Sequence, residues 1–89
     1  MINENITIVN KLGLHARAAS KLVSCASRFE SEVFLARQGN RVNAKSIMGV
    51  MMLAASKGVE LEMEIEGSDE QECHDALVDL FSNRFGESE

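Results

Sequence analysis

The sequence predicts an α+β open-faced sandwich: a four-stranded antiparallel sheet with three helices on one face, in the order β-α-β-β-α-β-α. Three observations carry this. Val59-Glu60-Leu61-Glu62-Met63-Glu64-Ile65-Glu66 alternates apolar and acidic residues without a fault, which sends Val59, Leu61, Met63 and Ile65 to one side of a strand and four glutamates to solvent. Strands with one polar face belong to a sheet covered on one side only. Three further segments repeat apolar residues at helical spacing, enough to cover the other side.

The elements follow in order. Ile6-Thr7-Ile8-Val9 reads as the first strand, and Ala19, Leu22, Val23 and Ala26 recur as one face of a helix. Val33 and Leu35, then Val42 and Ala44, alternate on either side of Gln38-Gly39-Asn40, the pattern of a hairpin. Ser46 is a good N-cap for a helix running through Ile47-Met48-Gly49-Val50-Met51-Met52-Leu53 toward a stop at Lys57-Gly58. After the strand at 59–66, Gly67 and Ser68-Asp69 break the pattern and cap a last helix with Cys73, Ala76, Leu77, Leu80 and Phe81 on one face. Proline is absent, so punctuation rests on glycines and caps. Strand order does not follow from patterning.

Composition narrows the function. Eighty-nine residues, 45% of them hydrophobic, make one domain, residues 1–89, with a single core. A formal charge of −5, no Trp or Tyr and only four Phe argue against a nucleic-acid binder. No apolar run reaches membrane-span length and the first residues lack a signal-peptide pattern, so a cytoplasmic, monomeric protein is expected. The two cysteines, Cys25 and Cys73, fall in helical patterns and read as free thiols. Cys73-His74 is not a metal site, since neighbouring helical residues diverge by about 100° and no other cluster supplies ligands. No metal and no cofactor are expected. His74 reads as a solvated surface residue.

The chemistry concentrates in Gly13-Leu14-His15-Ala16-Arg17. His15 stands where a strand hands over to a helix, at or beside the N-cap, with Arg17 in the first turn. A helix start offers unpaired N–H groups and the positive end of the dipole, which suits an anion. A neutral imidazole there has a nucleophilic ring nitrogen, and a guanidinium two residues on can fork around phosphate oxygens. The combination says phosphate on histidine. Alone, His15 would read as a surface or capping residue and Arg17 as a solvated charge.

Gly13-Leu14-His15-Ala16-Arg17 resembles the active-site motif of the HPr family, the histidine phosphocarriers of the bacterial phosphotransferase system. Asn43-Ala44-Lys45-Ser46-Ile47-Met48-Gly49-Val50-Met51 resembles that family's regulatory serine and the short helix after it. Both blocks lie at the family's spacing in a chain of the family's length. The nitrogen-related branch is resembled as well as the sugar-uptake branch. The resemblance implies the HPr-like fold and a carrier that is not itself an enzyme. It implies that His15 takes a phosphoryl group from phosphorylated enzyme I, charged by phosphoenolpyruvate, and hands it to a IIA-type protein. Arg17 and the backbone N–H groups of Ala16 and Arg17 would hold the phosphoryl oxygens. Ala18 departs from the pattern: most of the family has proline there, so the helix start gains a donor and loses rigidity.

Ser46 has two readings: a plain N-cap worth about 1 kcal/mol, or the target of an HPr kinase/phosphorylase, as the resemblance implies. Ile47, Met48, Met51 and Met52 are too dense for one buried stripe. Some should pack on the sheet, and the rest, with Gly49, should lie exposed near His15 as a partner surface extended along the first helix by Ala16, Ser20, Lys21 and Ser24. Two functions of different class stay open: a phosphohistidine carrier, or a regulatory binding module controlled through Ser46. An accidental motif in an unrelated α+β domain is the third. The pair His15 and Arg17 favours the first.

Overall fold

The computed structural model describes residues 1–88. Its elements are β1 (Ile2–Thr7), α1 (Ala16–Ser27), β2 (Glu32–Arg37), β3 (Asn40–Asn43), α2 (Ile47–Met52), β4 (Glu60–Glu66) and α3 (Glu70–Ser82), followed by a single 3₁₀ turn at Arg84–Gly86. The sheet order is β1-β4-β2-β3, antiparallel throughout. The faultless alternation of β4 places it in the middle, where Leu61, Met63 and Ile65 are fully buried. Its register with β1 (Ile2 opposite Ile65, Ile6 opposite Leu61) and with β2 (Val33 opposite Ile65, Leu35 opposite Met63) lines one apolar face. Ala18, Ala19, Leu22 and Ala26 of α1 and Cys73, Leu77 and Phe81 of α3 close the core over it.

Three elements depart in their bounds from the sequence reading. The first strand is Ile2–Thr7, and Ile8 and Val9 lie beyond it. Pairing with β4 extends it backward, while Ile8 keeps two bonds outside the ladder, its N–H to Val59 O at 2.9 Å and its carbonyl from Gly58 N–H at 2.8 Å. The hairpin turn is only Gln38-Gly39, both left-handed (φ 50° and 87°), and Asn40 already belongs to β3. Helix α2 stops at Met52 and not at Lys57-Gly58. Arg37 Nη1 takes up the carbonyls of Leu53 (3.0 Å) and Ala54 (2.9 Å), and Ala54 turns the chain at φ 50°.

Asp69 is the N-cap residue of α3 by position, yet its carboxylate makes no cap bond. It reaches the turn before β2, accepting from Glu30 N–H (2.9 Å), Ser31 N–H (2.9 Å) and the Ser31 hydroxyl (2.5 Å). The hydroxyl first, then the Glu30 amide, hold this carboxyl below the usual range.

Other side chains also take unexpected places. His74 is not merely solvated: Nε2 meets Glu4 Oε1 at 3.1 Å and Nδ1 meets Asp75 Oδ1 at 3.0 Å, tying α3 to the edge strand. Of the four glutamates on β4, Glu64 is half-buried, bonded to Arg41 Nε at 2.7 Å while Arg41 stacks on Phe34. Both cysteines are buried free thiols, and burial pushes Cys73 up to about 11. Beyond α3, Phe85 folds back into the core edge-on to Phe81, with centroids 5.0 Å apart.

The closest backbone approach lies beside the start of α1. Gly13 has φ 66°, and a Cβ there would stand 2.4 Å from Ala55 O and 2.8 Å from Ser56 Cα. Gly13→Ala should destabilise the domain by about 2–4 kcal/mol through strain and overpacking, read by denaturant unfolding. Asp69 offers a pH test. A folded pKa below the unfolded value contributes stability above the unfolded carboxylate pKa, and loses it as pH falls through the folded one. Asp69→Asn should therefore lower the melting temperature at neutral pH, and the gap should close as pH drops below about 4. A gap unchanged by acid would refute the assignment.

Candidate functional site

The loop entering α1 is closed from two directions. Asn10 is fully buried; its carbonyl accepts from Gly13 N–H at 3.2 Å and its Nδ2 donates to Gly13 O at 2.8 Å. Leu14 is buried, and its N–H donates to Ala55 O at 2.9 Å. The turn leaves His15 as the N-cap residue of α1 in extended backbone (φ −73°, ψ 177°), its carbonyl accepting from Ala19 N–H at 2.8 Å. That bond opens the helical ladder, so the N–H groups of Ala16, Arg17 and Ala18 precede it, and the first turn carries no acid.

The imidazole does not cap the helix. It points into an open depression lined by Lys11, Leu12, His15, Ala16, Arg17, Glu87 and Ser88, and its side chain is 30% exposed. An enclosed ring would have excluded loading by another protein. Arg17 is exposed in the same depression and makes no hydrogen bond or ion pair among the described residues. Ala18 is fully buried, so its methyl group stays clear of the depression.

Two residues of the site escaped the sequence reading. Glu87 Oε2 lies 2.5 Å from His15 Nε2, and Glu87 Oε1 accepts from Asn10 Nδ2 at 3.0 Å. The Asn10 amide first, then His15, hold the Glu87 carboxyl below its usual range. The Asn10 spacing to Gly13 carried a turn signal, Asn at the first and Gly at the fourth position. Glu87 carried none: seventy-two residues separate it from His15.

The remaining expected residues divide. Ser46 caps α2, its exposed Oγ accepting from Gly49 N–H at 3.1 Å. Ile47, Met48, Met51 and Met52 are all exposed, at 44%, 73%, 43% and 76%, so the expected packing of some of them on the sheet is taken over by Val50 and Leu53. None of the four lines the His15 depression, although α2 packs on α1. Gly49 is half-buried, and its absent side chain lets α2 approach Val42 of β3. Ser20 and Ser24 line a separate groove between α1 and α3. Lys21 lines that groove too, but is committed elsewhere: Nζ donates to Phe85 O at 2.6 Å and secures the C-terminal turn. No helix among the described residues is long and apolar enough to cross a membrane.

Comparison with known proteins agrees with this geometry. Residues 2–83 match the family model described as the PTS HPr component phosphorylation site. The chain is 56% identical over 89 residues to phosphocarrier protein HPr of Cupriavidus necator. It is 54% identical to that of Neisseria meningitidis serogroup A, with all of both chains covered. A solved HPr from Thermoanaerobacter tengcongensis superposes with a TM-score of 0.96 at 46% identity, covering 100% of each chain. The chain belongs to the HPr family of phosphocarrier proteins of the phosphotransferase system.

Proposed function

We propose that this protein accepts a phosphoryl group on His15 from phosphorylated enzyme I and delivers it to a IIA-type protein in a phosphoenolpyruvate-dependent relay, in the cytoplasm. One observation carries the reading: a part-exposed imidazole at the start of α1 shares a depression with an arginine that has no partner among the described residues. Phosphoryl transfer asks little of a protein beyond an aligned nucleophile and charge stabilisation. Nε2 is occupied by Glu87, and Nδ1 makes no hydrogen bond among the described residues, so Nδ1 is the nucleophile. Arg17 is free to close on the phosphoryl oxygens, together with the N–H groups of Ala16 and Arg17. The chain is a carrier and a substrate of its partners; it completes no reaction alone.

Ser46 is a second phosphorylation target in this reading, acted on by an HPr kinase/phosphorylase. A phosphate there keeps the favourable end of the α2 dipole. It also sets about two negative charges beside the exposed Ile47 and Met48, spoiling an apolar docking surface more than the fold. Together with Met51, and with Ser20, Lys21 and Ser24 along α1, these side chains form the partner surface. A purely regulatory module would have no use for an unpaired Arg17 beside an accessible ring.

Incubation with phosphoenolpyruvate, magnesium and enzyme I should yield acid-labile, base-stable phosphate, and His15→Ala should abolish it; label persisting in that variant sinks the assignment. Arg17→Ala should fold normally and slow loading by about 10–100-fold, the scale of losing one charge-stabilising group. Ser46→Asp should slow loading by enzyme I while leaving the melting temperature within a few degrees of wild type. Equal loading rates for Ser46→Asp and wild type would remove Ser46 as a control point.

A further inference from the structure

The C-terminal turn is built to present one carboxylate. After α3, Asn83 Oδ1 accepts from Gly86 N–H at 3.1 Å, and Arg84, Phe85 and Gly86 all take left-handed backbone (φ 60°, 55° and 79°). Buried Phe85 and the bond from Lys21 anchor this turn. The chain then delivers Glu87 between the buried Asn10 amide and the His15 ring. A fully solvated glutamate needs none of these fixings.

We propose that Glu87 is a positioning and charge-balancing residue for phosphoryl transfer: its carboxylate keeps a proton on Nε2 of His15 through the whole cycle. The proposal rests on the reading of His15 as the loaded residue. Before loading, the ring is neutral, with hydrogen on Nε2 and a lone pair on Nδ1. That lone pair forms the N–P bond as the bond from phosphorus to the donor's histidine breaks, and the donor ring leaves with the electron pair. The Nε2 proton stays, so the loaded ring is an imidazolium bearing the phosphoryl group, and Glu87 is its counter-charge. On unloading, the N–P pair returns to Nδ1 and the ring departs neutral. Without the proton, the leaving group would be an imidazolate, a far poorer one. No proton crosses to solvent in either direction.

Other charges surround the same site. Lys11 and Arg17 line the depression with the ring, Lys21 acts on the Glu87 carboxylate, and Glu87 is the carboxylate in contact with the ring. Asn10 is the second half of the device, since its amide fixes Gly13 and Glu87 at once.

The test is ring ¹⁵N NMR of the phosphorylated protein, titrated in wild type, Glu87→Gln and Glu87→Asp. Glu87→Gln should lower the midpoint for loss of the Nε2 proton by about 0.5–1 unit, a part-exposed carboxylate's worth. Phosphoryl transfer at pH 8 should slow several-fold, with Glu87→Asp recovering part of both. A merely structural role would leave the midpoint in place. Coincident midpoints in wild type and Glu87→Gln, or phosphorus found on Nε2, overturn the proposal. Failure of enzyme I to load wild type counts against the relay instead. The ring can then be loaded with phosphoramidate, and the same titration still reads Glu87.

Discussion

The site depends on a backbone contact that no side chain makes. Gly13 lies so close to Ala55 O that a methyl group would not fit, and Leu14 N–H bonds to that same carbonyl. Together with the two bonds of Ile8 to Gly58 and Val59, this locks the loop before α1 onto the loop before β4. The direction of the first helical turn is set there. Buried Leu14 points inward, so His15, next along an extended backbone, turns outward. The early end of α2 belongs to the same constraint. Arg37 holds the carbonyls of Leu53 and Ala54, and the chain must reverse at Ala54 to bring Ala55 against Gly13.

What could be read from sequence alone follows the range of each interaction. Strand β4 was legible because alternation is a local consequence of a half-covered sheet, and α3 because its apolar spacing is local too. The His15–Arg17 pair was legible because a helix start concentrates its chemistry in five consecutive residues. The errors fall where distant groups decide. Gly58 looked like the helix stop because glycine enters the left-handed region most cheaply, yet Ala54 takes that conformation under the grip of Arg37. Asp69 looked like a cap, and Ser31 draws its carboxylate away. Glu4, exposed, shares the helix-covered face of an edge strand with Ile2 and Ile6, a charge that discourages pairing with another chain; its partner, His74, lies seventy residues on.

Charge is distributed unevenly over the surface. The formal total is −5, and Glu60, Glu62 and Glu66, with Glu32 of β2, load the open face with exposed carboxylates. The His15 depression differs locally: Lys11 and Arg17 line it beside Glu87, and the first turn of α1 has no acid, whereas α3 on the same side of the sheet carries Glu70, Glu72, Asp75 and Asp79. An anion is therefore drawn to one depression of a molecule whose overall charge repels it, and this local field orients docking more than it strengthens it.

Within that cationic rim Glu87 is the exception, and its tolerance follows from where it stands on the ring. The two imidazole nitrogens face different directions, so a carboxylate on Nε2 is separated from a phosphoryl group on Nδ1 by the ring itself. In the proposed relay, loading places a positive charge on the ring, in contact with Glu87, and a more distant negative one on the phosphoryl group. Coulomb energy falls as the inverse of distance, so the nearer single charge offsets the farther double one. In that relay Arg17, in the same depression, then tips the balance by cancelling part of the distant charge. Among the described residues Arg17 has no partner and Glu87 already has two. The arginine is thus held in reserve for the loaded state, while the carboxylate is in place before the phosphoryl group arrives. In the proposed relay, that division would let His15 be charged and discharged without rebuilding its surroundings.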